Sequence, residues 1–446
     1  MQSRRLAPAL PLALVLTLAT ACGGGADDPA DGKAVTVTVG YQSKTINTVT
    51  AGTLLRSLGY FEEELAARGR KDGVTYRVVW QDYATGAPIT AQMTAGKIDI
   101  GSMGDFPLLI NAARGKQLKE PTRLVAVTGY NLRGGLNTVV TKPGSTLRSL
   151  KDLKGRKVST SVGSAADGTL VRALRRAGLD PAKDVRKVNQ QPSVGASALT
   201  AGSADALSQF VAWPGLLAFQ GRATALYDGA ELDLPTFHGV TVRERFAQRR
   251  PEVLDAFLRA QRRATDELRR RPVASAESVA RETGLPAEVV YLYNGAQGIA
   301  TFDPALRPEL VAALKEDVPV LKEAGLVKDV DVDAFVDPAP LRRAVPGAAY
   351  PRAGAARCEL WLRGAESTRS FDSPKALLKA VAGARVRAAY VPDAVTGTLW
   401  FADRAVWVVD GGEFRAFVTR EGAERYVSGH AASRILSYAD AVGLAS

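Results

Sequence analysis

Short apolar strands alternate with amphipathic helical segments along the first half of the chain. Residues 34–41 alternate valine with threonine, which predicts a strand, and residues 54–68 have the spacing of a helix. Further strands are predicted at 76–80 and 98–102, with a helix at 87–95 between them. Regular alternation of strands and helices along the chain indicates an α/β architecture with mostly parallel sheets.

A second unit of the same kind begins near Thr138. Strands are predicted at 157–162 and 185–189, and a helix at 164–177 lies between them. From about His238 the pattern changes to long, charged helices, which are predicted at 251–270, 274–283 and 308–324. The sequence therefore predicts two consecutive α/β units followed by a helical region.

Two strand-to-helix turns made of small residues occur at corresponding places in the two units. They lie within Ile98–Phe106 and Val158–Gly168. Such turns present free backbone N–H groups and the partial positive charge of a helix start, so a pair facing across a cleft could hold an anion. The alternative is that these residues only cap helices, and Asp105 and Asp167 suit a first helical turn in either case.

The last hundred residues form a separate pattern. Four prolines between Pro338 and Pro351 indicate a linker, which we place at 341–351. Residues 352–446 mix short strands with two helices and predict a small α+β domain, whose core could be filled by Trp361, Trp400, Trp407 and Phe417.

The N-terminus reads as an export signal over residues 1–21. Arg4 and Arg5 precede the apolar run Leu6–Leu18, which is shorter than the roughly 20 residues that a bilayer-spanning helix needs. The run Leu18-Ala19-Thr20-Ala21-Cys22 resembles a bacterial lipobox, which implies lipid attachment to Cys22 and a tether over 22–34. The alternative is a plain signal peptide with a chance cysteine. We expect an extracytoplasmic protein anchored to the cell membrane by its lipid.

Composition excludes several classes of function. A formal net charge of +12 would suit nucleic acid, but export makes that partner a poor candidate. Two cysteines and two histidines cannot form a Cys/His zinc cluster. His238 lies between Phe237 and Gly239 in a strand-like segment, and no catalytic motif accompanies it. We expect a monomer that is not an enzyme and carries no cofactor.

Several short segments resemble the solute-binding proteins of nitrate, sulfonate and taurine ABC importers. The resemblance covers about residues 35–340 and rests on VGYQ at 39–42, TAGKIDIG at 94–101, GD at 104–105, SLKDLKGRKV at 149–158, VGS at 162–164, LTAGSADA at 199–206 and WP at 213–214. It implies a type II periplasmic-binding-protein fold that closes on a small anionic or zwitterionic solute, with an ABC permease and its ATPase as partners. Lobe one would comprise 35–130 and 240–340, and lobe two 135–236.

The resemblance also implies a set of ligand-binding residues. These are Gln42, then Ser102, Met103, Gly104, Asp105 and Phe106 in the first turn, Ser161, Gly163, Ser164 and Ala165 in the second, and Trp213. Met103 and Phe106 replace the small residues common in the family, which suggests a more apolar cleft. Asp105 could bind an ammonium group or simply cap its helix, and Trp213 could equally be a core residue of lobe two.

The C-terminal domain resembles the copper-chaperone lipoproteins that accompany nitrous oxide reductase. The resemblance rests on FDSPKAL at 371–377, VTREGAE at 418–424, SGH at 428–430 and ILSYAD at 435–440. Copper(I) prefers soft ligands, but here only Cys358 remains and no methionine lies beyond Met103. Cys358 is thus a weak metal candidate. Two alternatives stay open: a copper-handling accessory lipoprotein, and an enzyme that acts on a pyrimidine-like solute in the same cleft.

Overall fold

The computed structural model describes residues 34–351 and 354–446. The predicted signal peptide, Cys22 and all of the predicted tether but its last residue lie outside these ranges. The strands are, in chain order, β1 (Ala34–Tyr41), β2 (Thr75–Asp82), β3 (Ile100–Gly104), β4 (Thr122–Asn131), β5 (Asn137–Thr141), β6 (Lys157–Thr160), β7 (Arg186–Asn189), β8 (Ala206–Phe210), β9 (Thr224–Asp228), β10 (Thr236–Arg243), β11 (Thr301–Phe302), β12 (Cys358–Leu362), β13 (Arg369–Phe371), β14 (Val386–Pro392), β15 (Leu399–Phe401), β16 (Val406–Asp410), β17 (Glu413–Phe417) and β18 (Arg434–Leu436).

Helices cover the faces of these sheets. They are α1 (Thr53–Leu58), α2 (Tyr60–Asp72), α3 (Gly86–Thr94), α4 (Asp105–Gln117), α5 (Ala165–Arg176), α6 (Pro192–Ala201), α7 (Trp213–Phe219), α8 (Glu244–Arg249), α9 (Pro251–Arg270), α10 (Pro272–Thr283), α11 (Ala287–Asn294), α12 (Pro308–Glu323), α13 (Val332–Phe335), α14 (Ala339–Ala344), α15 (Pro374–Val381), α16 (Arg420–Ser428) and α17 (Tyr438–Ala445). Short 3-10 helices lie at Ile46–Ala51, Leu150–Leu153 and Gly229–Leu232. None of the helices in the described ranges is long and apolar enough to cross a membrane.

The first sheet has six strands in the order β11-β4-β10-β3-β1-β2. β1 pairs in parallel with β2 and β3, whereas β10 runs antiparallel to β3 and β4. The valines of β1 (Val35, Val37 and Val39) face the core while the threonines between them are more exposed, which is the period-2 pattern of a strand covered on one face. We call this sheet, with its helices, lobe one.

The second sheet has five strands in the order β7-β6-β8-β5-β9, and we call it lobe two. β6 is parallel to β7 and β8, and β5 is antiparallel to β8 and β9. The chain leaves lobe one after β4 and returns to it as β10, so two crossings join the lobes. The two α/β lobes agree with the predicted architecture, but their sheets are mixed rather than mostly parallel. The chain enters each sheet from both directions, because β4 and β10, like β5 and β9, pair antiparallel with a neighbour.

The C-terminal domain, residues 354–446, contains two small antiparallel sheets. Their orders are β13-β12-β14-β15 and β17-β16-β18. Trp407 lies in the domain's own core, and Phe417 packs with residues of β16 and α16. Trp361 and Trp400, which the sequence analysis assigns to the same core, belong instead to an apolar cluster shared with the lobes.

Three features differ from the sequence prediction. The C-terminal domain has three helices, α15, α16 and α17, where two are predicted. The helix predicted at 54–68 is divided at Gly59, whose φ of +66° ends α1 and lets α2 start in a new direction. The first residues of the predicted linker belong to the helix α14, since Leu341 is buried in the same core as α9. Packing of that one leucine side chain overrides the weak helical signal of a proline-rich segment.

Candidate functional site

A cavity of about 170 Å³ lies between the lobes. It is lined by Gln42, Thr85, Gly86, Ala87, Thr90, Gly104, Pro107, Ile110, Ser161, Val162, Gly163, Ser164, Ala165, Asn189, Gln190, Gln191, Phe210 and His238. Most of these residues follow the carboxyl ends of parallel strands in both sheets, which is where open α/β sheets bind ligands. Among the described residues that line it, none is an aspartate, glutamate, lysine or arginine.

Four helices begin at this cavity, and one of them is α4, which starts after Gly104. α3 starts after Thr85, α5 starts after Ser164, and α6 starts after Gln191 with Pro192 in its first turn. Neither the Thr85 nor the Gln191 side chain caps its helix. Because the first N–H groups of a helix have no intrahelical partner, these helix starts offer donors and partial positive charge to a ligand without any basic side chain.

Some of the backbone N–H groups at the start of α5 already donate hydrogen bonds within the protein. The Asp167 carboxylate accepts from the Gly163 N–H at 3.1 Å and pairs with Lys187 at 3.1 Å. The Ser164 hydroxyl accepts from the Asp167 N–H at 3.3 Å. The first intrahelical bond runs from Gly168 N–H to Ser164 O. The N–H groups of Ala165 and Ala166 precede it, so they are the donors that α5 offers to the cavity.

Gln42 lies at the cavity, as the resemblance implies, but both polar atoms of its side-chain amide are hydrogen-bonded to other residues of the protein. Its Nε2 donates to the Ser102 carbonyl at 3.1 Å and its Oε1 accepts from the Thr45 hydroxyl at 3.4 Å. The side chain is only 3% exposed. These bonds hold the amide at the end of β1 and fix the turn that follows it.

His238 is a cavity residue that the sequence analysis treats only as part of a strand. The Asn47 Nδ2 amide lies 2.5 Å from His238 Nδ1, and an amide NH₂ can only donate, so the ring proton is on Nε2. Burial lowers the pKa of His238 to about 3. A Cβ atom at Gly104 would lie 3.2 Å from Nε2, so this glycine leaves room for the ring. His238 is therefore a neutral ring at the cavity with its proton on Nε2.

Asp105 does not line the cavity. Its Oδ2 accepts from the Thr236 hydroxyl at 2.6 Å and from the Phe237 N–H at 3.2 Å, and its Oδ1 accepts from the Phe106 N–H at 2.8 Å. Burial raises its pKa, against those hydrogen bonds. The carboxyl group ties the start of α4 to β10, so the interpretation of Asp105 as a helix-start residue fits the structure and an ammonium-binding role does not.

Other predicted residues of the first turn also face away from the cavity. Met103 is fully buried in the core of lobe one, and Ser102 lies in β3 with 1% exposure. Only Gly104 of this turn lines the cavity. The apolar part of the lining comes from Pro107, Ile110, Val162 and Phe210 instead.

Trp213 begins α7 and packs on the core of lobe two, beside Leu217 and Ala196. It is absent from the cavity lining. The alternative interpretation of Trp213, as a core residue, fits this position. Ser161, Gly163, Ser164 and Ala165, by contrast, all line the cavity as expected.

The two lobes touch each other beside the cavity. Phe106 of α4 packs directly on Gly168 of α5, where a Cβ atom would lie 2.0 Å from Cζ of the ring. Arg172 of α5 pairs with Asp317 of α12 at 2.9 Å. Burial and nearby Asp105 raise the pKa of Asp317, and Arg172 lowers it. The structure therefore shows the lobes closed against one another.

Sequence reasoning missed two groups of cavity residues, the start of α3 and the turn before α6. Thr85-Gly86-Ala87 follows β2, and Asn189-Gln190-Gln191 follows β7. Both are strand-to-helix turns, like those within Ile98–Phe106 and Val158–Gly168. Applying the rule that ligands bind at the carboxyl ends of parallel strands to every such turn would have found them.

The weak metal candidate is buried. Cys358 is 2% exposed, and burial raises the pKa of its thiol to about 12. His430 stacks on Tyr426 at the surface of α16. Within the described ranges, no group of three or more His, Cys, Asp or Glu side chains is placed to hold a metal ion.

The chain is similar in sequence to known binding proteins. Residues 77–275 match the sequence model of the NMT1/THI5 like family. The aliphatic sulfonates-binding protein of Escherichia coli K12 is 26% identical over 257 residues, which is 57% of this chain and 78% of that protein. The taurine-binding periplasmic protein of the same strain is 27% identical over 225 residues, 50% of this chain and 66% of that protein.

Solved structures show the same fold. The alkanesulfonate-binding protein SsuA of Xanthomonas axonopodis pv. citri, bound to MOPS, superposes with a TM-score of 0.57 at 22% identity, covering 68% of this chain and 99% of that chain. The nitrate-binding protein NrtA of Synechocystis PCC 6803 gives 0.53 at 14% identity, covering 69% and 88%. The chain therefore has the fold of periplasmic binding proteins, with a small β-rich domain added at its C-terminal end. The two curated relatives described above are named as binding proteins, which agrees with the prediction that the chain is not an enzyme.

Proposed function

We propose that the chain is the solute-binding component of an ABC importer and binds a small anion, foremost an aliphatic sulfonate, between its lobes. The observation that carries the proposal is the cavity without charged lining residues at which four helices begin. Backbone N–H donors suit the three acceptor oxygens of a sulfonate, and the helix dipoles favour its charge. Relatives named for sulfonate and taurine binding support this class of ligand.

Within that class, the cavity favours a simple anion over a zwitterion. An ammonium group would need a carboxylate, and Asp105 is committed to Thr236 and Phe237. Ethanesulfonate and taurine form a matched pair because taurine adds only the ammonium group. We therefore expect ethanesulfonate to bind more tightly than taurine, and nitrate to compete with both.

A thermal-shift screen followed by calorimetry tests the proposal. Ligand at 100 times its dissociation constant adds about 2.7 kcal/mol of stability to the folded state. Ser164→Glu places a carboxylate at the start of α5 and should abolish binding through repulsion. Ser197→Glu is the matched control, because Ser197 is an exposed residue of α6 away from the cavity lining. No shift with any anion, or equal binding by both variants, would refute the proposal.

Lipid attachment at Cys22 and extracytoplasmic location belong to the same proposal. The periplasmic relatives support export. Metabolic labelling with a radioactive fatty acid should mark the wild-type chain, and Cys22→Ala should lose the label. Labelling of both chains would show that the lipid is elsewhere.

The two alternatives find less support in the described residues. Copper handling would need soft ligands that reach solvent, and the Cys358 thiol is buried with a raised pKa. Catalysis would need a group at the cavity that exchanges a proton near neutral pH. The described lining has no carboxylate, and burial lowers the pKa of His238 to about 3, which makes its ring a weak base. Copper(I) titration of the intact chain would reveal a tight site if one forms.

A further inference from the structure

The C-terminal domain packs on both lobes at once. One apolar cluster contains Ile46, Tyr291 and Phe302 of lobe one, Val211 and Ala218 of lobe two, and Trp361, Tyr390, Trp400 and Phe401 of the C-terminal domain. Shared burial of this kind makes the three parts one packing unit rather than a pair of lobes with a loosely linked appendage.

The attachment to lobe one combines charge with aromatic stacking. The Arg387 guanidinium lies 3.9 Å from the ring centre of Trp361. It also pairs with Glu277 of α10 and Glu288 of α11, each at 2.7 Å. The Tyr390 hydroxyl donates to the Glu288 carbonyl at 2.9 Å. Arg387 is half-buried, so these ion pairs are partly shielded from solvent.

The attachment to lobe two is smaller and more polar. The rings of Phe401 and Phe219, which ends α7, lie 5.4 Å apart. The Thr396 hydroxyl donates to Asp228 Oδ2 at 2.8 Å. Glu231 is also part of this contact, since Arg425 of α16 lies 3.6 Å from its carboxylate.

Glu231 lies in a group of charged residues drawn from both sides of that contact. They are Asp228 and Arg176 of lobe two, and Asp393, Glu421 and Arg425 of the C-terminal domain. Burial, reinforced by the neighbouring carboxylates, raises the pKa of Glu231 to about 7, and Arg425 opposes this.

The first crossing between the lobes is held by the same domain. Arg133 follows β4, and its Nη1 donates to the carbonyls of Val395 at 3.1 Å and Thr396 at 3.2 Å. Farther along this crossing, a Cβ atom at Gly135 would lie 3.1 Å from the Thr398 hydroxyl oxygen. The loop between β14 and β15 therefore sits directly on a segment that must flex when the lobes move.

The segment that leads to the domain is also fixed. The Tyr350 ring lies between Arg262 and Arg269 of α9, whose guanidinium carbons are 4.1 and 4.3 Å from its centre. The Tyr350 hydroxyl donates to Asp266 at 2.5 Å, and its carbonyl accepts from Arg307 at 2.7 Å. The domain is thus tied to lobe one through its connection as well as through its own surface.

We propose that the C-terminal domain is a brace across the crossing segments that holds the two lobes in their closed arrangement. Opening moves one lobe relative to the other, and a domain with its own core cannot follow both, so one attachment must release first. The lobe-two attachment is the weaker and should be the one that opens. The inference concerns lobe motion and goes beyond the proposed ligand binding, which it does not require.

Distance measurements on the intact chain test the brace without any ligand. Spin labels at Lys116→Cys on lobe one and Ser197→Cys on lobe two report the separation of the lobes. Cys22→Ser removes the other reactive thiol, and Cys358 is buried. Phe219→Glu should release the lobe-two end, and Arg387→Ala the lobe-one end. Leu444→Glu, at a side chain 53% exposed on α17, is the control for adding a charge to the C-terminal domain.

We expect one short distance in the wild type and in Leu444→Glu, and a second, longer population in each release variant. Arg387→Ala leaves the contacts of Tyr350 and Tyr390 with lobe one in place, so we expect its longer population to be the smaller of the two. Unchanged distances in both release variants, with native circular dichroism, would overturn the proposal. A wild-type chain that already shows the longer population without ligand would overturn it as well. Failure of every anion to bind would refute only the proposed function.

Discussion

The contact between Phe106 and Gly168 gives a direct measure of how strongly binding depends on lobe closure. A Cβ atom at residue 168 would lie 2.0 Å from Cζ and 2.4 and 2.5 Å from the two Cε atoms of the Phe106 ring. Ordinary carbon contacts are about 3.5–4.0 Å, so Gly168→Ala forces the ring or the whole lobe to move by roughly 1.5 Å. Overpacking of this kind costs about 1–3 kcal/mol.

If the ligand binds only the closed form, that cost appears in full as lost affinity. We expect the dissociation constant of ethanesulfonate to rise about 5- to 150-fold in Gly168→Ala, measured by titration calorimetry. Alanine favours a helix over glycine by about 1 kcal/mol, so a weakened α5 cannot explain the loss.

A double-mutant cycle separates the contact from other effects of the methyl group. In a Phe106→Ala background the space is empty, and Gly168→Ala should then leave the affinity nearly unchanged. Two results would contradict this role of the contact. One is a Gly168→Ala protein that binds ethanesulfonate as tightly as the wild type, and the other is an equal loss of affinity with and without the Phe106 ring.

Three further predictions concern charge and burial. Arg172→Met leaves the buried Asp317 carboxylate without its cation and should raise the dissociation constant of the ligand about tenfold by calorimetry. Arg175→Met is the control: its ion pair with Glu323 is exposed, so the dissociation constant should change less than about fivefold. Because the pKa of Glu231 is raised from 4.5 to about 7, the folded state holds the proton more tightly than the unfolded chain. That stabilisation is complete below pH 4.5 and lost as the pH rises through 7, so Glu231→Gln should flatten the fall in melting temperature between pH 5.5 and 8. Cys358, buried and with its pKa near 12, should resist iodoacetamide at pH 8 until the protein unfolds, and mass spectrometry that finds rapid alkylation of the native protein would contradict this.

Local patterns in the sequence determined most of the secondary structure. The period-2 valines of β1 and the apolar spacing of α9 lie within short windows, and the structure places both elements at the predicted residues. The small-residue turns at Gly104 and at Gly163–Ala165 could be located in the same way, since strand end, glycine or serine, and helix start are neighbours along the chain. For these features the chain needs no distant contact to specify its local structure.

Tertiary structure decided which of those residues face the cavity. Asp105 is drawn to Thr236 and Phe237, more than a hundred residues away, and Phe106 fills the space above Gly168 in the other lobe. Trp361 leaves the core of its own domain to pack on Tyr291. Each outcome depends on which distant surfaces meet, and a window of ten residues contains no information on that. Local sequence patterns therefore specify most of the strands, helices and turns, whereas long-range packing sets the cavity lining, the closed lobes and the position of the C-terminal domain across both.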